Sequence, residues 1–227
     1  TDRKEMEALA GKLKKQKAFA FDTETCSILP TNTVDPNTAE LVGMSFSYED
    51  HKGYYVPVPK DQDEAKEIAT IFKDVLEDPS IEKIGQNIKF DYLVMKWYGI
   101  IIQGAIFDTM IAHYLIEPEM RHKLDCRSQN YLNYQMVPIE KLIGKRGKNQ
   151  LSIRDVPVEK ASMYAVEDAD ITFQLAEILR KEVKENKLDK LYKELEEPLI
   201  VTLADMEFEG IRLDGDFLKK YSGVLEK

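Results

Sequence analysis

The sequence predicts an α/β protein in which a mixed β-sheet is flanked by α-helices. Three observations carry this. Residues 17–22, 41–48 and 53–58 have the apolar, aromatic-rich composition of short strands, and the polar Glu49-Asp50-His51-Lys52 joins the last two as a turn. Beyond residue 60, stretches with apolar residues at three- and four-residue spacing alternate with a short strand pattern at 82–85. The chain has 227 residues, 43% of them hydrophobic, enough to bury roughly 70% of the unfolded surface. Antiparallel neighbours followed by alternation of helix and strand imply a mixed sheet with helices packed on it.

The elements follow in order. Residues 3–16 are rich in Lys and Glu, with Met6, Leu9 and Leu13 at helical spacing, and form a short amphipathic helix. The strand at 17–22 ends on Asp22, and the Pro, Asn and Thr of 30–40 mark a loop. After the two further strands come an amphipathic helix at 62–77, a strand at 82–85 and a helix at 87–98. Asp108 caps a helix running to about residue 116. Residues 124–134 and 138–143 give two shorter helices, and 144–150 a basic loop containing glycine. Long helical patterns cover 157–186 and 188–209. Residues 210–215 form a short strand and turn before another helix begins.

Composition narrows the function. No apolar run reaches the roughly 20 residues that span a bilayer. The charged N-terminus has no signal-peptide core, and the missing initiator Met suggests a piece of something longer. Two cysteines, Cys26 and Cys126, support neither a disulfide framework nor a Cys-rich zinc site, so a reduced, cytoplasmic protein is expected. The formal net charge of −9 argues against a dedicated duplex binder working by phosphate neutralisation. It leaves room for an enzyme that meets nucleic acid through bound cations, which requires converging acids.

Three segments offer such acids. In Asp22-Thr23-Glu24, residues i and i+2 of a strand point to one face, so both carboxylates project together; the tripeptide alone is equally a strand end running into solvent. Asn87 and Asp91 are four apart on a helix and share a face, although Asn87 also suits an N-cap and Asp91 alone suits a solvated helix surface. Tyr164 and Asp168 repeat the four-residue spacing beside Ala161, Ala165 and Ala169, small residues that let a helix lie close to a sheet. An Asp on such a face is costly unless ion-bound or hydrogen-bonded. Glu167 and Asp170 are then outward-facing acids.

Together Asp22-x-Glu24, Asn87-x-x-x-Asp91 and Tyr164-x-x-x-Asp168 resemble the three motifs of the DEDDy 3′–5′ exonucleases. The surrounding text, including Phe19-Ala20-Phe21-Asp22-Thr23-Glu24-Thr25, Gly85-Gln86-Asn87-Ile88-Lys89-Phe90-Asp91, Phe107-Asp108-Thr109-Met110, Gly147-Lys148-Asn149-Gln150-Leu151 and Tyr164-Ala165-Val166-Glu167-Asp168-Ala169-Asp170, is similar to the proofreading exonuclease domain of bacterial DNA polymerase I, a family A DNA polymerase. The likeness runs from about Phe19 to Gly215, and the stretch from Glu197 to Asp214 resembles the opening of that family's polymerase domain.

The resemblance implies an RNase H-like, DnaQ-like fold. It implies an exonuclease domain over residues 1–189 and the truncated start of a polymerase domain over 190–227. The implied activity is metal-dependent removal of nucleoside 5′-monophosphates from single-stranded or frayed DNA 3′ ends, in replication and repair. Asp22 would bridge two divalent cations, Mg²⁺ or Mn²⁺; Glu24 and Asp168 would complete the ligands of the first cation, and Asp91 would serve the second cation, partly through water. Tyr164 and Glu24 would orient the attacking water. Ile28 stands where the family usually has a Leu wedged between the last two bases, and Gln86 and Asn87 would lie near the terminal phosphodiester or its sugar. Implied partners are a single-stranded DNA 3′ end and the polymerase domain of the same chain, in a monomeric bacterial protein of the cytoplasm and nucleoid, with no membrane.

Two other functions share parts of this pattern. An RNase D-type RNA 3′ exonuclease would carry all three motifs, and the polymerase-like tail argues against it. A catalytically silent DNA-binding or structural module would have lost acids that are all present here. Lys145, Arg146 and Lys148 are a solvated turn or a phosphate-contacting loop, and lack the Gly-Lys-Ser/Thr ending of a P-loop. His51, His113 and His122 are scattered and form no zinc pattern. Phe90, Trp97 and Tyr98 are expected in the core, and Cys26 is a small filler. Extra length at 30–40 and 144–148 leaves the chemistry intact.

Overall fold

The structure is a computed structural model and describes residues 2–27, 34–145, 147 and 150–226. Along the chain it contains α1 (Arg3–Leu13), β1 (Ala18–Ser27), β2 (Ala39–Glu49), β3 (Lys52–Pro57), α2 (Gln62–Ile71), α3 (Lys73–Leu76), β4 (Glu82–Gly85), α4 (Lys89–Trp97), β5 (Ile106–Asp108) and α5 (Thr109–Ile116). There follow α6 (Leu124–Leu132), α7 (Glu140–Ile143), α8 (Val158–Glu185), α9 (Asp189–Leu191), α10 (Glu197–Glu209) and α11 (Gly215–Leu225). The five strands form one sheet in the order β3-β2-β1-β4-β5. β1, β2 and β3 pair antiparallel, while β4 and β5 run parallel to β1. This is the expected mixed sheet.

Alternation along β1 divides the molecule. Phe19 and Phe21 enter a core with α1, α2 and α4, where Met6, Leu9 and Leu13 bury the predicted face of α1. Ala20 points the other way, into a second core built with α5 and α8. Asp22 and Glu24 continue the parity of Ala20 and so face α8. Ala161, Ala165 and Ala169 are buried, and α8 approaches so closely that a Cβ at Gly53 would lie 2.6 Å from Val166 Cγ1. The small-residue face does what its pattern predicts.

Several expectations are corrected. β1 does not end at Asp22 but runs to Ser27, because β2 pairs with it along that length, with a register shift between Glu24 and Thr25. The 62–77 helix divides at Phe72 into α2 and α3. β5 was not anticipated: three residues are too few for a periodic pattern, and it exists through pairing with β4. The 188–209 helix is interrupted by a π-helical turn at Tyr192–Glu196, just before Pro198 at the start of α10. Proline has no N–H to donate and crowds the preceding turn, which favours such widening. Residues 210–214 are irregular rather than a strand. Trp97 is 51% exposed and meets Phe208 of α10 in a tilted pair, ring centroids 4.4 Å apart, whereas Tyr98 is buried and Phe90 packs on the core as expected. Ile200 and Ala204 of α10 join the same core as α4. Among the described residues, no helix is long and apolar enough to cross a membrane.

Candidate active site

The site begins with a mismatch in strand length. β4 pairs with β1 only from Ala18 to Ala20, while β2 accompanies β1 much further. Past Ala20, one edge of β1 therefore lacks a strand partner, and a buried backbone N–H needs an acceptor. Asp91 supplies it. Its Oδ1 accepts from the Thr23 N–H at 2.8 Å and from the Thr23 hydroxyl at 2.6 Å. Asp91, 3% exposed, is thus fastened between the two acids of β1, beside Asp22 and Glu24.

Asp91 reaches this edge from a tight turn. Gly85 is required there, since a Cβ would lie 2.6 Å from the Ile88 side chain. Asn87 has a left-handed backbone, φ +59°, and stays exposed. It is neither the N-cap nor a helical residue, so the expected shared face with Asp91 does not arise from one helix. The capping is done by Asp108, whose buried carboxylate accepts N–H bonds from Asn87 and Ile88 and from Met110 and Ile111. One side chain thereby fixes the starts of both α4 and α5. The Gln86 amide turns inward: Nε2 donates to the His122 carbonyl at 3.0 Å, and Oε1 accepts from Thr109 Oγ1 at 2.8 Å and from Arg127.

α8 supplies the remaining groups. Tyr164 and Asp168 project together, with the Tyr164 phenol beside the Asp168 carboxylate. Asp22, Glu24 and Asp168 each offer a carboxylate oxygen, all within 4.8 Å of one another. Burial and mutual repulsion make ionisation costly. Burial, then the charges of Asp91, Glu24 and Asp168, hold the Asp22 carboxyl well above its usual range. Burial with Asp168 and Asp91 pushes Glu24 up to about 8. Burial raises Asp91 to about 7 against the bonds from Thr23, and Asp168 to about 7 against the neighbouring Tyr164 hydroxyl. The Tyr164 phenol is also pushed up, first by burial and then by the acids.

The structure thus unites Asp22, Glu24 and Asp168, sets Asp91 and Tyr164 beside them, and keeps the Gln86 side chain inside the protein. Ile28, Arg146 and Lys148 lie outside the described residues, while Lys145 is exposed. Glu167 and Asp170 are not free surface acids. Glu167 accepts from the Tyr134 hydroxyl and the Val137 N–H, and Asp170 from the His51 N–H and the Gln174 amide. His113 and His122 are not scattered; their Nδ1 atoms meet at 2.7 Å. Sequence reasoning missed Tyr55, whose phenol is raised by burial and by the charge of Glu24. It also missed Arg154, whose guanidinium lies against Cys26 Sγ and donates to the Leu41 carbonyl, giving Cys26 a polar neighbour. Arg127, the third omission, had no local signal, because its short bonds go to Thr109 and Gln86 on other elements, and only a long one reaches the nearby Lys123 carbonyl.

Residues 1–184 match the 3′–5′ exonuclease family. The chain belongs to this family. It is 39% identical over 223 residues to DNA polymerase I of Borreliella burgdorferi, covering 96% of this chain and 23% of that protein. It is 37% identical over 216 residues to DNA polymerase I of Chloroflexus aurantiacus, covering 93% of this chain and 22% of that protein. The chain therefore spans less than a quarter of the length of these relatives. Among solved structures it resembles the polymerase-domain structure of Pol1 from M. smegmatis in complex with DNA primer-template and dNTP, with TM-score 0.73, 20% identity, and coverage of 97% of this chain and 33% of that one. It also resembles Brucella melitensis NrnC with bound Mg²⁺, with TM-score 0.67, 19% identity, and coverage of 87% and 88%. The fold of this exonuclease domain is accordingly RNase H-like.

The exonuclease residues fit a divalent cation. Glu24 Oε1 is buried with no hydrogen-bond partner. A buried acceptor in that state is costly, and here it lies among other carboxylates rather than beside a donor. A donor set made only of oxygens suits hard cations.

Proposed function

We propose that this chain is the proofreading exonuclease of a DNA polymerase I, removing nucleoside 5′-monophosphates one at a time from single-stranded or frayed DNA 3′ ends. The observation that carries the reading is the convergence of Asp22, Glu24 and Asp168, whose carboxylate oxygens lie within 4.8 Å of one another with Glu24 Oε1 buried and unpartnered. Asp22, Glu24 and Asp168 would hold one divalent cation, Mg²⁺ or Mn²⁺, and Asp91 beside Asp22 would serve a second. When bound, the cations neutralise charge on the phosphoryl group and act as Lewis acids. Tyr164 and Glu24 would orient the water whose oxygen attacks the terminal phosphorus; the place of the Tyr164 phenol beside the acids and the unpartnered Glu24 Oε1 support these roles. The phosphorus–O3′ bond breaks, the nucleotide leaves with its 5′-phosphate, and the shortened strand regains a 3′-hydroxyl. Asn87, exposed on its left-handed turn, contacts the sugar or phosphate at the strand end, with Gln86 beneath it; the family resemblance assigns the terminal bases to Ile28, which lies outside the described residues.

The unit over residues 1–189 precedes the start of a polymerase domain over 190–227, in a monomeric cytoplasmic protein of replication and repair. The exposed Phe217, Tyr221, Val224 and Leu225 of α11 support a docking partner in the same polypeptide. The names of the relatives support its identity as a polymerase.

The test is a 5′-labelled DNA oligomer, single-stranded or with a frayed 3′ end, incubated with Mg²⁺ or Mn²⁺ and with EDTA. A ladder of shortening products that EDTA abolishes is the expected result. An intact oligomer under both metals overturns the reading. Solved neighbours also include the catalytic core of RRP6 from Trypanosoma brucei, so an RNA oligomer runs in parallel. Cleavage of RNA alone would favour the RNase D-type reading.

A further inference from the structure

We propose that Arg127 is a positioning residue for the DNA 3′ end: its buried guanidinium fixes the Gln86 amide and, through it, the turn that presents Asn87. The proposal rests on the exonuclease reading above and extends it to α6, which contributes nothing to the acidic cluster.

Arg127 is fully buried, and among the described residues it forms no ion pair. Burying a guanidinium costs free energy, and an apolar side chain of similar volume would fill the space without that cost. Its fork is spent on the turn region. Nη1 donates to the Thr109 carbonyl at 2.6 Å, and Nη2 donates to Gln86 Oε1. Burial draws the guanidinium down to about 10 while the nearby charge of Asp108 opposes this, so the group remains a cation. Gln86 is held at both ends, because its Nε2 reaches the His122 carbonyl. Thr109 closes the ring, its hydroxyl lying 3.1 Å from the Gly85 carbonyl and 2.8 Å from Gln86 Oε1, the nearer acceptor of its one proton.

Asn87 follows immediately with φ +59°, a conformation costly for a residue with a side chain unless its surroundings enforce it. Asp108 enforces it from one side through backbone N–H groups, and the Arg127–Gln86 pair does so from the other. A cation buried against an amide therefore sets the angle at which Asn87 meets the strand end. The acids sit on β1, on α8 and at Asp91, which has its own tether to Thr23. Loss of Arg127 should accordingly weaken substrate capture more than chemistry.

The test compares Arg127→Met, Arg127→Lys, Gln86→Leu and the double Arg127→Met/Gln86→Leu with the parent on single-stranded DNA. Arg127→Met and Gln86→Leu should each raise KM about tenfold, equivalent to about 1.4 kcal/mol, with kcat changed by less than about threefold. The double variant should be no worse than either single, because one interaction is removed in each. Arg127→Lys, which keeps the charge and loses the fork, should fall between them and remain informative if Arg127→Met does not fold. Ser128→Ala removes a buried bond from the neighbouring residue of α6 to the Tyr134 carbonyl and should lower the melting temperature without moving KM.

A KM that stays at the parent value in the Arg127 and Gln86 variants, or effects that add in the double, overturns the proposal while leaving the exonuclease reading intact. Binding of a 5′-labelled oligomer in EDTA gives a second readout. A parent that binds in EDTA but does not cut with Mg²⁺ or Mn²⁺ removes the exonuclease reading, and weaker binding by both single variants would still support the positioning role. A parent that neither binds nor cuts overturns both.

Discussion

Glu24 is the residue on which the site's energetics turn. Its Oε1 has no donor, and Asp168 and Asp91 raise its proton affinity further. Two unit charges about 4 Å apart repel by about 4 kcal/mol at an effective dielectric of about 20, a large part of a domain's usual stability. Without cations the folded state is strained at its own acids. Asp168→Ala should therefore raise the melting temperature in chelator while lowering exonuclease activity by more than about 100-fold, since even outer-shell changes at metal sites cost 10–100-fold. Calorimetry in EDTA with a product ladder in Mn²⁺ reads both, and a melting temperature that falls in EDTA would contradict the strain. Tyr164→Phe, which removes only the hydroxyl beside Asp168, should lower kcat about tenfold or more, with Mn²⁺ stabilisation preserved. The acids and Tyr164 were legible in the sequence because fixed spacings on a strand and a helix place side chains on one face. Asn87 was misread because the same spacing test assumes helical backbone, and nothing in Gln86-Asn87-Ile88 announces a positive φ. Arg127 and Gln86 were illegible as a pair, being 41 positions apart and on different elements.

At the scale of elements, the site depends on how closely α8 lies on the sheet. Ala161, Ala165 and Ala169 form the contact, and Gly53 on β3 admits Val166. Ala165 is fully buried one helical turn before Ala169 and beside Tyr164. Ala165→Leu adds volume where no space exists and should cost about 1–3 kcal/mol. For a protein of this size that corresponds to about 2–4 °C of melting temperature per kcal/mol. The helix can relieve the overlap only by moving off β1, which carries Asp168 away from Asp22 and Glu24. Activity and Mn²⁺ stabilisation should therefore both fall, whereas Met163→Leu on the exposed face of the same helix should change neither. Equal losses in the two variants, read by melting and product ladders, would show that close approach is not what sets the site. The long helix, the small-residue face and the antiparallel strands were readable because each repeats a period over many residues. β5 and the π-helical turn were not, since both are set by neighbours, the first by β4 and the second by the proline that follows.

For the whole molecule, the clustered acids make stability depend on pH and on metal in opposite directions. Asp22, Glu24, Asp91 and Asp168 all have raised proton affinity in the folded state, against about 4 when unfolded. The native state thus binds more protons than the unfolded state, so the contribution of these groups is full below about pH 4 and is lost as pH rises through 7 and 8. Two other groups oppose this outside a limited window. His113, drawn down to about 4 by burial, costs stability as pH falls below about 6.5. Lys83, drawn down to about 8 by burial, adds stability as pH rises above that value. The window from pH 6.5 to 8 therefore isolates the acids, and in EDTA the melting temperature should decline across it. Divalent cations need these carboxylates deprotonated, so their stabilisation of the native state grows over the same interval. At a thousandfold excess over the dissociation constant it reaches about 4 kcal/mol. The difference between melting temperatures in Mn²⁺ and in EDTA should therefore widen steadily from pH 6.5 to 8, and Asp22→Asn should flatten it. A difference that stays constant with pH in the parent would mean that the cation displaces no protons, and the carboxylates would then not be its ligands.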